Sequence, residues 1–448
     1  MNVLIVGGGG REHALAWKVR SSGNDGRVYV APGNAGTALE AGIENVDIQA
    51  DDIDGLIQFA RSSDIGLTIV GPEGPLVAGL VDQFQAQGLR IFGPLAAAAK
   101  LEGSKAYCKD FLIRHSIPTA AYQVFTEADT AKTYIDQSRL PVVIKADGLA
   151  AGKGVVIAQT REDAVTAIDD MLSANRFGEA GSKVVIEEFL SGEELSFICM
   201  VDGENILPMA TSQDHKARDN GDLGPNTGGM GAYSPAAGIT TEMHDRIIKD
   251  IIEPTVTGMN VDGHSFTGFL YAGLMIDDDG NAKVLEYNVR FGDPETQPIM
   301  MRLQSDLVQL CNAALDGQLD QCTVEWLNKT ALGVVMAAEG YPDNPRLGDT
   351  IHGLELTEPA LTEPALTEPA PTEDKPQYPA VVFHAGTRLD DRQVKTSGGR
   401  VLCVTALGDT VIDAQSKAYA AAANINWAGG FYRTDIGYRA VNRESGSD

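Results

Sequence analysis

Three polar residues in the segment EYNVRFGDPETQP, namely Glu286, Asn288 and Arg290, recur at every second position. The residues before them are typical of a β-strand, and alternate residues of a strand face the same side. Mg²⁺ prefers carboxylate and amide oxygens and also binds phosphate oxygens, while a neighbouring arginine suits the charge of a phosphate in transfer. The spacing predicts a magnesium and phosphate site, with a solvated polar face as the alternative.

A second segment, VVIKADGLAAGKGVVIA at residues 142–158, places two lysines and three glycines between two β-branched runs. It does not match the phosphate loop G-x-x-x-x-G-K-[ST], because a glycine follows Lys153 and another strand comes next. It instead predicts strand, loop and strand, with Lys145 on the first strand; a hairpin with an exposed lysine is the alternative. The backbone amides expected to approach phosphates are those of Gly148, Gly152 and Gly154.

The opening stretch MNVLIVGGGGREHALAWKVRSS predicts a buried strand, a glycine turn and a helix. A dinucleotide fingerprint would end in Gly or Ala, but the chain has Glu12 or His13 at that position, which excludes a nicotinamide-dependent dehydrogenase. The first amides of the helix can still bind an anion. We therefore expect phosphate binding at Gly9, Gly10 and Arg11, with a plain tight turn as the alternative.

The bulk composition limits the possible partners. The 448 residues include 35 Lys and Arg and 62 Asp and Glu, which gives a net charge of −27 that repels nucleic acids and anionic membranes. Five scattered cysteines without a C-x-x-C pair support neither a disulfide framework nor a zinc site. No signal region or membrane-spanning run is visible, so we expect a cytoplasmic protein.

The predicted elements divide the chain into three parts, an α/β and α+β multidomain organisation. Alternating strands and helices in residues 1–103 predict a doubly wound parallel sheet. Residues 104–325 predict antiparallel sheets, with a smaller subdomain at about 122–192. Residues 326–440 predict a small α+β domain, into which three LTEPA repeats at 356–376 insert a disordered surface loop, because their prolines exclude helix and central strand.

The order of the strings GSKAYCKDF, VVIKADGLAAGKGVV, VIEEFLSGEE and VLEYNVRFGDPE resembles that of the ATP-grasp superfamily. Within it, the chain is similar to the phosphoribosylamine–glycine ligase family, through strings such as APGNAGT, TSQDHKARDN and FGDPETQP spread between residues 7 and 408. The resemblance implies a central ATP-grasp fold and ligation of glycine to 5-phosphoribosylamine with ATP and Mg²⁺ or Mn²⁺, through glycyl phosphate. It also implies a monomer in purine biosynthesis.

The resemblance further implies a role for each matching residue around ATP. The implied contacts are Lys105, Lys145, Lys153 and the loop 148–154 for the phosphates, Glu187, Phe189 and Leu190 for adenine, and Glu194 for ribose. The implied metal ligands are Glu286 and Asn288, and the implied catalytic residues are Arg290, Lys145 and Lys105. Whether Asp277 adds a further metal ligand is left open.

The candidates for binding the acceptor substrates are polar segments between the glycine-rich loop at 148–154 and the strand that carries Glu286. The expected contacts are Asp214 for the glycine ammonium, Lys216 and Arg218 for carboxylate or phosphate, and Gly9, Gly10, Arg11, Asp293 and Glu295 around the ribose phosphate. One rival is an ATP-grasp ligase or carboxylase with other substrates. The other is a non-catalytic nucleotide sensor, which would not need the set of Glu286, Asn288 and Arg290.

Overall fold

The structure is a computed structural model that describes residues 1–149, 154–173, 181–356 and 380–446. The predicted phosphate contacts at Gly152 and Lys153 lie outside the described residues, as does the LTEPA insertion beyond residue 356. Within the described ranges, every helix is too short or too polar to form a bilayer-spanning segment. All five cysteines fall in these ranges and are free thiols.

The first part of the chain forms a five-stranded parallel sheet in the order β3-β2-β1-β4-β5, as the alternating pattern predicts. Side chains of the first strand enter two clusters, Leu4 and Val6 on one face and Val3 and Ile5 on the other, so both faces are covered. The strand order reverses between β1 and β4, and the crevice at such a reversal is a ligand site in α/β sheets. The elements are β1 Asn2–Gly7, α1 Gly10–Ser21, β2 Val28–Pro32, α2 Ala35–Leu39, β3 Ile43–Asn45, α3 Ile53–Ser62, β4 Ile65–Val70, α4 Glu73–Val77, α5 Leu80–Ala86, β5 Ile91–Phe92 and α6 Ala96–Gly103.

Two antiparallel four-stranded sheets follow, in the orders β6-β9-β7-β8 and β11-β10-β16-β17, as the ATP-grasp prediction requires. A small separate core supports the first of them, in which Ile144 and Ile186 are buried. Its elements and the preceding helix are α7 Lys105–Arg114, β6 Tyr122–Phe125, α8 Ala128–Gln137, β7 Val142–Ala146, β8 Val155–Ala158, α9 Arg161–Ile168, a π-helical turn Asp169–Ser173 and β9 Val184–Glu188. The second comprises β10 Glu193–Asp202, β11 Ile206–Pro208, α10 Thr241–Ile247, a π-helical turn Ile248–Ile252, α11 Glu253–Val261, β16 Thr267–Ile276, β17 Ala282–Asn288, α12 Thr296–Arg302 and α13 Leu307–Leu315.

The last sheet, β12-β15-β18-β22-β19, takes two strands from the middle of the chain. Strand β15 pairs antiparallel with β18, with Gly231 opposite Val334, so the polar segment after residue 212 is built into the third domain. The sequence places this segment in the central domain and gives no sign of the long-range pairing. The elements are β12 Gln213–Asp214, β13 Ala217–Asp219, a 3₁₀ turn Asn220–Asp222, β14 Leu223–Asn226, β15 Gly231–Ser234, 3₁₀ turns Leu319–Gln321 and Leu354–Leu356, β18 Thr330–Ala337, β19 Val381–His384, β20 Thr387–Asp390, β21 Gln393–Thr396, β22 Arg400–Gly408, α14 Val411–Ala422 and α15 Tyr438–Ser445.

Candidate active site

A cavity of about 430 Å³ lies where the three domains meet, and it gathers most of the residues predicted from the sequence. Its walls come from both antiparallel sheets, from the crevice between β1 and β4, and from the start of β22. The predicted residues that line it are Arg11, Lys105, Lys145, Gly154, Glu187, Phe189, Leu190, Glu194, Asp214, Lys216, Glu286, Asn288, Arg290, Asp293 and Glu295.

Lys105 is the first residue of α7 and is aimed at the glycine-rich segment. Its Nζ donates to the carbonyl oxygen of Gly148 at 3.0 Å. Asp147 fixes this arrangement, because its Oδ1 accepts from Ser104 Oγ at 2.9 Å and from the Ala106 amide at 2.7 Å. Burial lowers the pKa of Lys105, against the opposing effect of Glu286. These hydrogen bonds therefore join the start of α7 to the end of β7 and hold the positive charge of Lys105 beside the glycine-rich segment.

Lys145 and Glu187 belong to a buried group of three charges. Glu187 Oε1 lies 2.9 Å from Lys145 Nζ, and Glu187 Oε2 lies 2.9 Å from Nζ of Lys109. The sequence analysis places Glu187 at the adenine edge, whereas in the structure its carboxylate is neutralised between two lysines. Lys109 has no predicted role. Since a charge buried without a partner is costly, the two lysines and Glu187 fix one another's positions.

The space expected for the adenine ring is an apolar slot beside Phe189 and Leu190. Phe189 is 39% exposed in the connection between β9 and β10, so its ring and backbone remain accessible. The sequence analysis does not identify the other walls, which come from four different strands. They are Val143, Ile157, Met275 and Leu285. A flat aromatic base is the kind of group that such a slot accepts.

Glu286 and Asn288 face the cavity at the end of β17, where the pairing with β16 shifts and leaves Leu285 without a partner. Burial would raise the pKa of Glu286, but Lys216, Lys145 and Lys105 outweigh it and lower the pKa to about 2. Glu286 is therefore ionised, as a metal ligand must be. Lys216 Nζ lies 3.6 Å from Glu286 and 3.1 Å from Glu194.

Arg290 lies between two glutamates of the first domain. Its guanidinium is 2.7 Å from Glu102 Oε1 and 3.3 Å from Glu73 Oε2. Burial raises the pKa of Glu102 to about 7 despite Arg290. For Glu73, burial acts in the same sense, but Arg290 and Arg11 prevail and lower the pKa to about 2. The pair of carboxylates aims the guanidinium at the cavity.

The predicted ribose-phosphate region comes together as expected in space. The α1 turn approaches α12 so closely that a methyl group on Gly10 would lie 2.6 Å from Gln297 Nε2, which donates to Asp293 at 2.8 Å. The amide of Gly9, however, donates to Glu12 Oε2 at 2.5 Å. The first amide of this turn is thus already engaged by a carboxylate. Of the turn residues, Arg11 is the one that lines the cavity.

Asp214 and Glu295 form an acidic wall of the cavity. Glu295 accepts from Ser196 Oγ at 2.9 Å. Burial and then the charge of Glu295 raise the pKa of Asp214 well above its usual range, while Lys216 opposes this. Two nearby carboxyl groups in a buried wall attract a cation, and this fits the ammonium group expected at Asp214.

Three sequence domains of one family match the chain. They are the N domain of phosphoribosylglycinamide synthetase over residues 1–102, its ATP-grasp (A) domain over 103–296, and its C domain over 331–439. A phosphoribosylamine–glycine ligase of Yersinia pestis is 60% identical over 444 residues, covering 99% of this chain and 100% of the relative. The chain belongs to the phosphoribosylglycinamide synthetase family.

Another member of the phosphoribosylglycinamide synthetase family, the phosphoribosylamine–glycine ligase of Escherichia coli strain K12, is 60% identical over 445 residues, which is 99% of this chain and all of the relative. The crystal structure of the phosphoribosylamine–glycine ligase from Thermotoga maritima superposes with a TM-score of 0.78 at 33% identity, covering 97% of this chain and 100% of that one. The resemblance found in the sequence is therefore confirmed over the whole chain.

Not every residue predicted from this resemblance reaches the cavity. Arg218 points elsewhere, and its Nε lies 2.8 Å from Asp219 Oδ1 at the start of the β13–β14 hairpin. Asp277 is partly exposed and accepts from the Asn281 amide at 2.8 Å in the turn between β16 and β17, and it does not line the cavity that contains Glu286. In both cases the side chain bonds to a residue close to it in the sequence and does not line the cavity.

Three histidines of this family member, His13, His215 and His384, have structural roles. His215 is buried, and its Nε2 accepts the Gly437 amide at 3.0 Å. Burial, and then the charge of Arg433, lower the pKa of His215 to about 4. His13 bonds to Glu40 at 2.8 Å and, through Nδ1, accepts the amide of His384. Neither His13, His215 nor His384 lines the cavity.

Besides Lys109 and Glu188, three further charged residues of the cavity have no role predicted from the sequence: Glu73, Glu102 and Arg400. Glu73 lies in the string TIVGPEGPLV and Glu102 in LEGSKAYCKDF. In both strings, the available signal is a glutamate directly followed by a glycine. Arg400 lies in GGRVLCVTALG, where the double glycine marks a close approach of the backbone. None of these signals gives the partner, which comes from a different domain in each case.

Proposed function

We propose that this chain ligates glycine to 5-phosphoribosylamine with ATP, giving glycinamide ribonucleotide, ADP and phosphate in purine biosynthesis. The observation that carries the proposal is a single cavity with two unlike ends. One end, the ATP end, presents Lys105, Lys145 and an ionised Glu286, as phosphoryl transfer needs. The other, the acceptor end, presents the carboxyl groups of Asp214 and Glu295. Full-length identity of 60% to phosphoribosylamine–glycine ligases supports this choice of acceptors.

The first step activates glycine, because a carboxylate is a poor electrophile for an amine. One oxygen of the glycine carboxylate attacks the γ-phosphorus, a P–O bond forms, and the bond to the bridging oxygen of ADP breaks. Lys105, Lys145 and Arg290 are placed to disperse the charge that spreads over the transferring group. Glu286 and Asn288 would hold Mg²⁺ or Mn²⁺, which when bound would supply positive charge to neutralise the phosphates.

In the second step, the amine of phosphoribosylamine attacks the carbonyl carbon of glycyl phosphate. The C–N bond forms, the C–O bond to phosphate breaks, and phosphate leaves with the proton that the amine loses. We assign the glycine ammonium to Asp214, beside Glu295, and the carboxylate to the side of Lys216 and Arg290. This orientation directs the reacting carboxylate towards the cationic end and away from the acidic wall.

The ribose phosphate is assigned to the crevice between β1 and β4, near Arg11 and Asp293. Arg11 Nη1 donates to the carbonyl oxygen of Phe291 at 3.2 Å, which holds the side chain at the cavity edge. Since the amide of Gly9 is engaged by Glu12, we assign the charge-bearing contact to Arg11 and leave Gly9 and Gly10 the role of allowing close approach. A cytoplasmic monomer is the proposed form, as the resemblance to the family suggests.

The test is phosphate release from MgATP by the purified protein with glycine and freshly generated phosphoribosylamine, repeated with each component omitted. We expect release to require both acceptors. Release with another carboxylate only would keep the ATP-grasp chemistry and reject these substrates. Absence of cleavage under all conditions would favour a nucleotide-binding protein. Light scattering on the same preparation checks the monomer.

A further inference from the structure

An arginine of the third domain enters the acceptor end of the cavity. Arg400, the first residue of β22, lies with its Nη2 2.8 Å from Asp293 Oδ2 and with its Nη1 2.5 Å from the carbonyl oxygen of Asp293. The same Nη1 also donates to the carbonyl oxygen of Gly228. The side chain is 22% exposed, and this exposed part faces the cavity. One guanidinium thus joins the central and the third domain at one point.

The backbone around Arg400 is shaped to bring it there. A methyl group on Gly399 would lie 2.3 Å from the ring of Tyr341, so glycine is needed for the contact. Tyr341 Oη in turn accepts the amide of Gly228 at 3.1 Å. The third domain therefore bonds to both the amide and the carbonyl group of Gly228. Gly228 ends the segment that begins with Asp214 and Lys216. These hydrogen bonds therefore help to position the residues assigned to the substrate glycine.

The charge of Arg400 also acts on the acidic wall. Burial would raise the pKa of Asp293, but Arg400 and then Arg11 outweigh it and lower the pKa. Asp293 is therefore ionised, and its carboxylate is oriented by Arg400 on one oxygen and by Gln297 on the other. Since both Nη atoms of Arg400 are occupied by protein acceptors, its role is to orient these groups.

We infer that Arg400 is a positioning residue of the acceptor site, which orients Asp293 and the Gly228 loop so that the ribonucleotide binds. The inference deepens the proposed function and rests on it. The ATP end is independent of this contact, because Lys145 pairs with Glu187 and Lys105 bonds to the carbonyl oxygen of Gly148, all within the central domain. Lysine cannot replace Arg400, because a single ammonium does not reproduce the planar fork that bonds Asp293 twice.

The experiment compares wild type with Arg400→Met, Arg400→Lys and Arg400→Ala, and with Arg388→Met as the matched control at an exposed arginine of the same domain. Calorimetry measures the Kd for glycinamide ribonucleotide, which is stable, and separately the Kd for MgADP. For Arg400→Met we expect the Kd for the ribonucleotide to rise about 10- to 100-fold while that for MgADP changes less than about 2-fold. Arg400→Lys should recover little, and guanidinium ion should partly restore binding to Arg400→Ala.

The outcomes separate this inference from the proposed function. If wild type does not bind glycinamide ribonucleotide, the proposed function fails. If wild type binds it and Arg400→Met binds it equally well, the inference is overturned. Equal weakening for the ribonucleotide and MgADP, together with a lowered Tm, would also overturn it, because Arg400 would then support only the fold.

Discussion

The two ends of the cavity are built in different ways. The ATP end comes from one domain, in which Lys105, Lys145 and Glu187 lie within about a fifth of the chain and two of them share one sheet. The acceptor end takes Arg11 from the first domain and Arg400 from the third. With the proposed assignment of the two ends, phosphoryl transfer rests on a local unit, whereas acceptor recognition depends on how the domains are joined.

Their charges differ as well. At the ATP end, the pKa of Glu286 falls to about 2, against the effect of burial, because of Lys216, Lys145 and Lys105. At the acceptor end carboxyl groups crowd together, and burial with the charge of Glu295 raises the pKa of Asp214. One end is prepared for phosphates and the other for an ammonium group. Variants should therefore affect either nucleotide or acceptor, which the first two predictions below test, and the last two test the packing that holds each end.

The largest effect is expected at the ATP end, from Lys145→Ala. Loss of this ammonium removes charge stabilisation of the transferring phosphoryl group, so kcat should fall about 10²- to 10³-fold, with an unchanged circular dichroism spectrum. The control is Lys249→Ala, at an exposed lysine of the π-helical turn. Wild-type turnover in Lys145→Ala would discard its catalytic role.

A smaller and more selective effect is expected from Asp214→Asn. Removing the carboxylate leaves the glycine ammonium without its partner, so the KM for glycine should rise about 30- to 100-fold while the KM for ATP is unchanged. Steady-state kinetics with each substrate varied in turn measures both, and the exposed Asp250→Asn is the control. An equal rise in both constants would remove the distinction between the ends.

Lys109→Met tests whether the ATP end is held together by buried charge. Lys109 is 2% exposed and its loss leaves Glu187 with one lysine, so the free energy of unfolding should fall by about 3 kcal/mol. Lys417→Ala breaks an exposed pair with Asp413 on α14 and should cost less than about 1 kcal/mol. Urea denaturation compares the two variants, and equal losses would mean that the buried group contributes no special rigidity.

His215 tests the packing of the acceptor segment under the third domain. Because burial lowers its pKa from 6.5 to about 4, the unfolded chain takes up a proton between these values and the folded protein does not. Stability is therefore lost as the pH falls from 7.5 to 5, by about 2 kcal/mol more in wild type than in His215→Gln. Parallel denaturation midpoints at the two pH values would contradict this burial.

The sequence predicts more of the ATP end, which one domain forms, than of the acceptor end, which several domains form. The parallel sheet and the antiparallel sheets of the central domain are confirmed, and both could be predicted because periodicity and glycine turns act within a short window. The pairing of β15 with β18, and the contacts that Arg400 makes with Asp293, connect residues about a hundred positions apart. No local pattern encodes such pairings, since their driving force is the shared burial of surfaces that exist only after folding.

The same reasoning explains the individual side chains. Lys145 lies on its strand as predicted, because strand alternation fixes its direction. Arg218 lies outside the cavity because the neighbouring Asp219 accepts its guanidinium, and Glu187 turns inward because Lys109 lies behind it. In each of these two cases a partner decided the position of a charge, and the partner was not evident from spacing.

The most direct test of the account follows oxygen atoms through the reaction. With glycine labelled by ¹⁸O in its carboxylate, phosphoryl transfer to glycine at the ATP end and amine attack at the acceptor end should place one ¹⁸O in each phosphate released, as measured by mass spectrometry. Unlabelled phosphate would contradict the glycyl phosphate route, and with it the claim that the two ends of this cavity act in sequence on the same glycine.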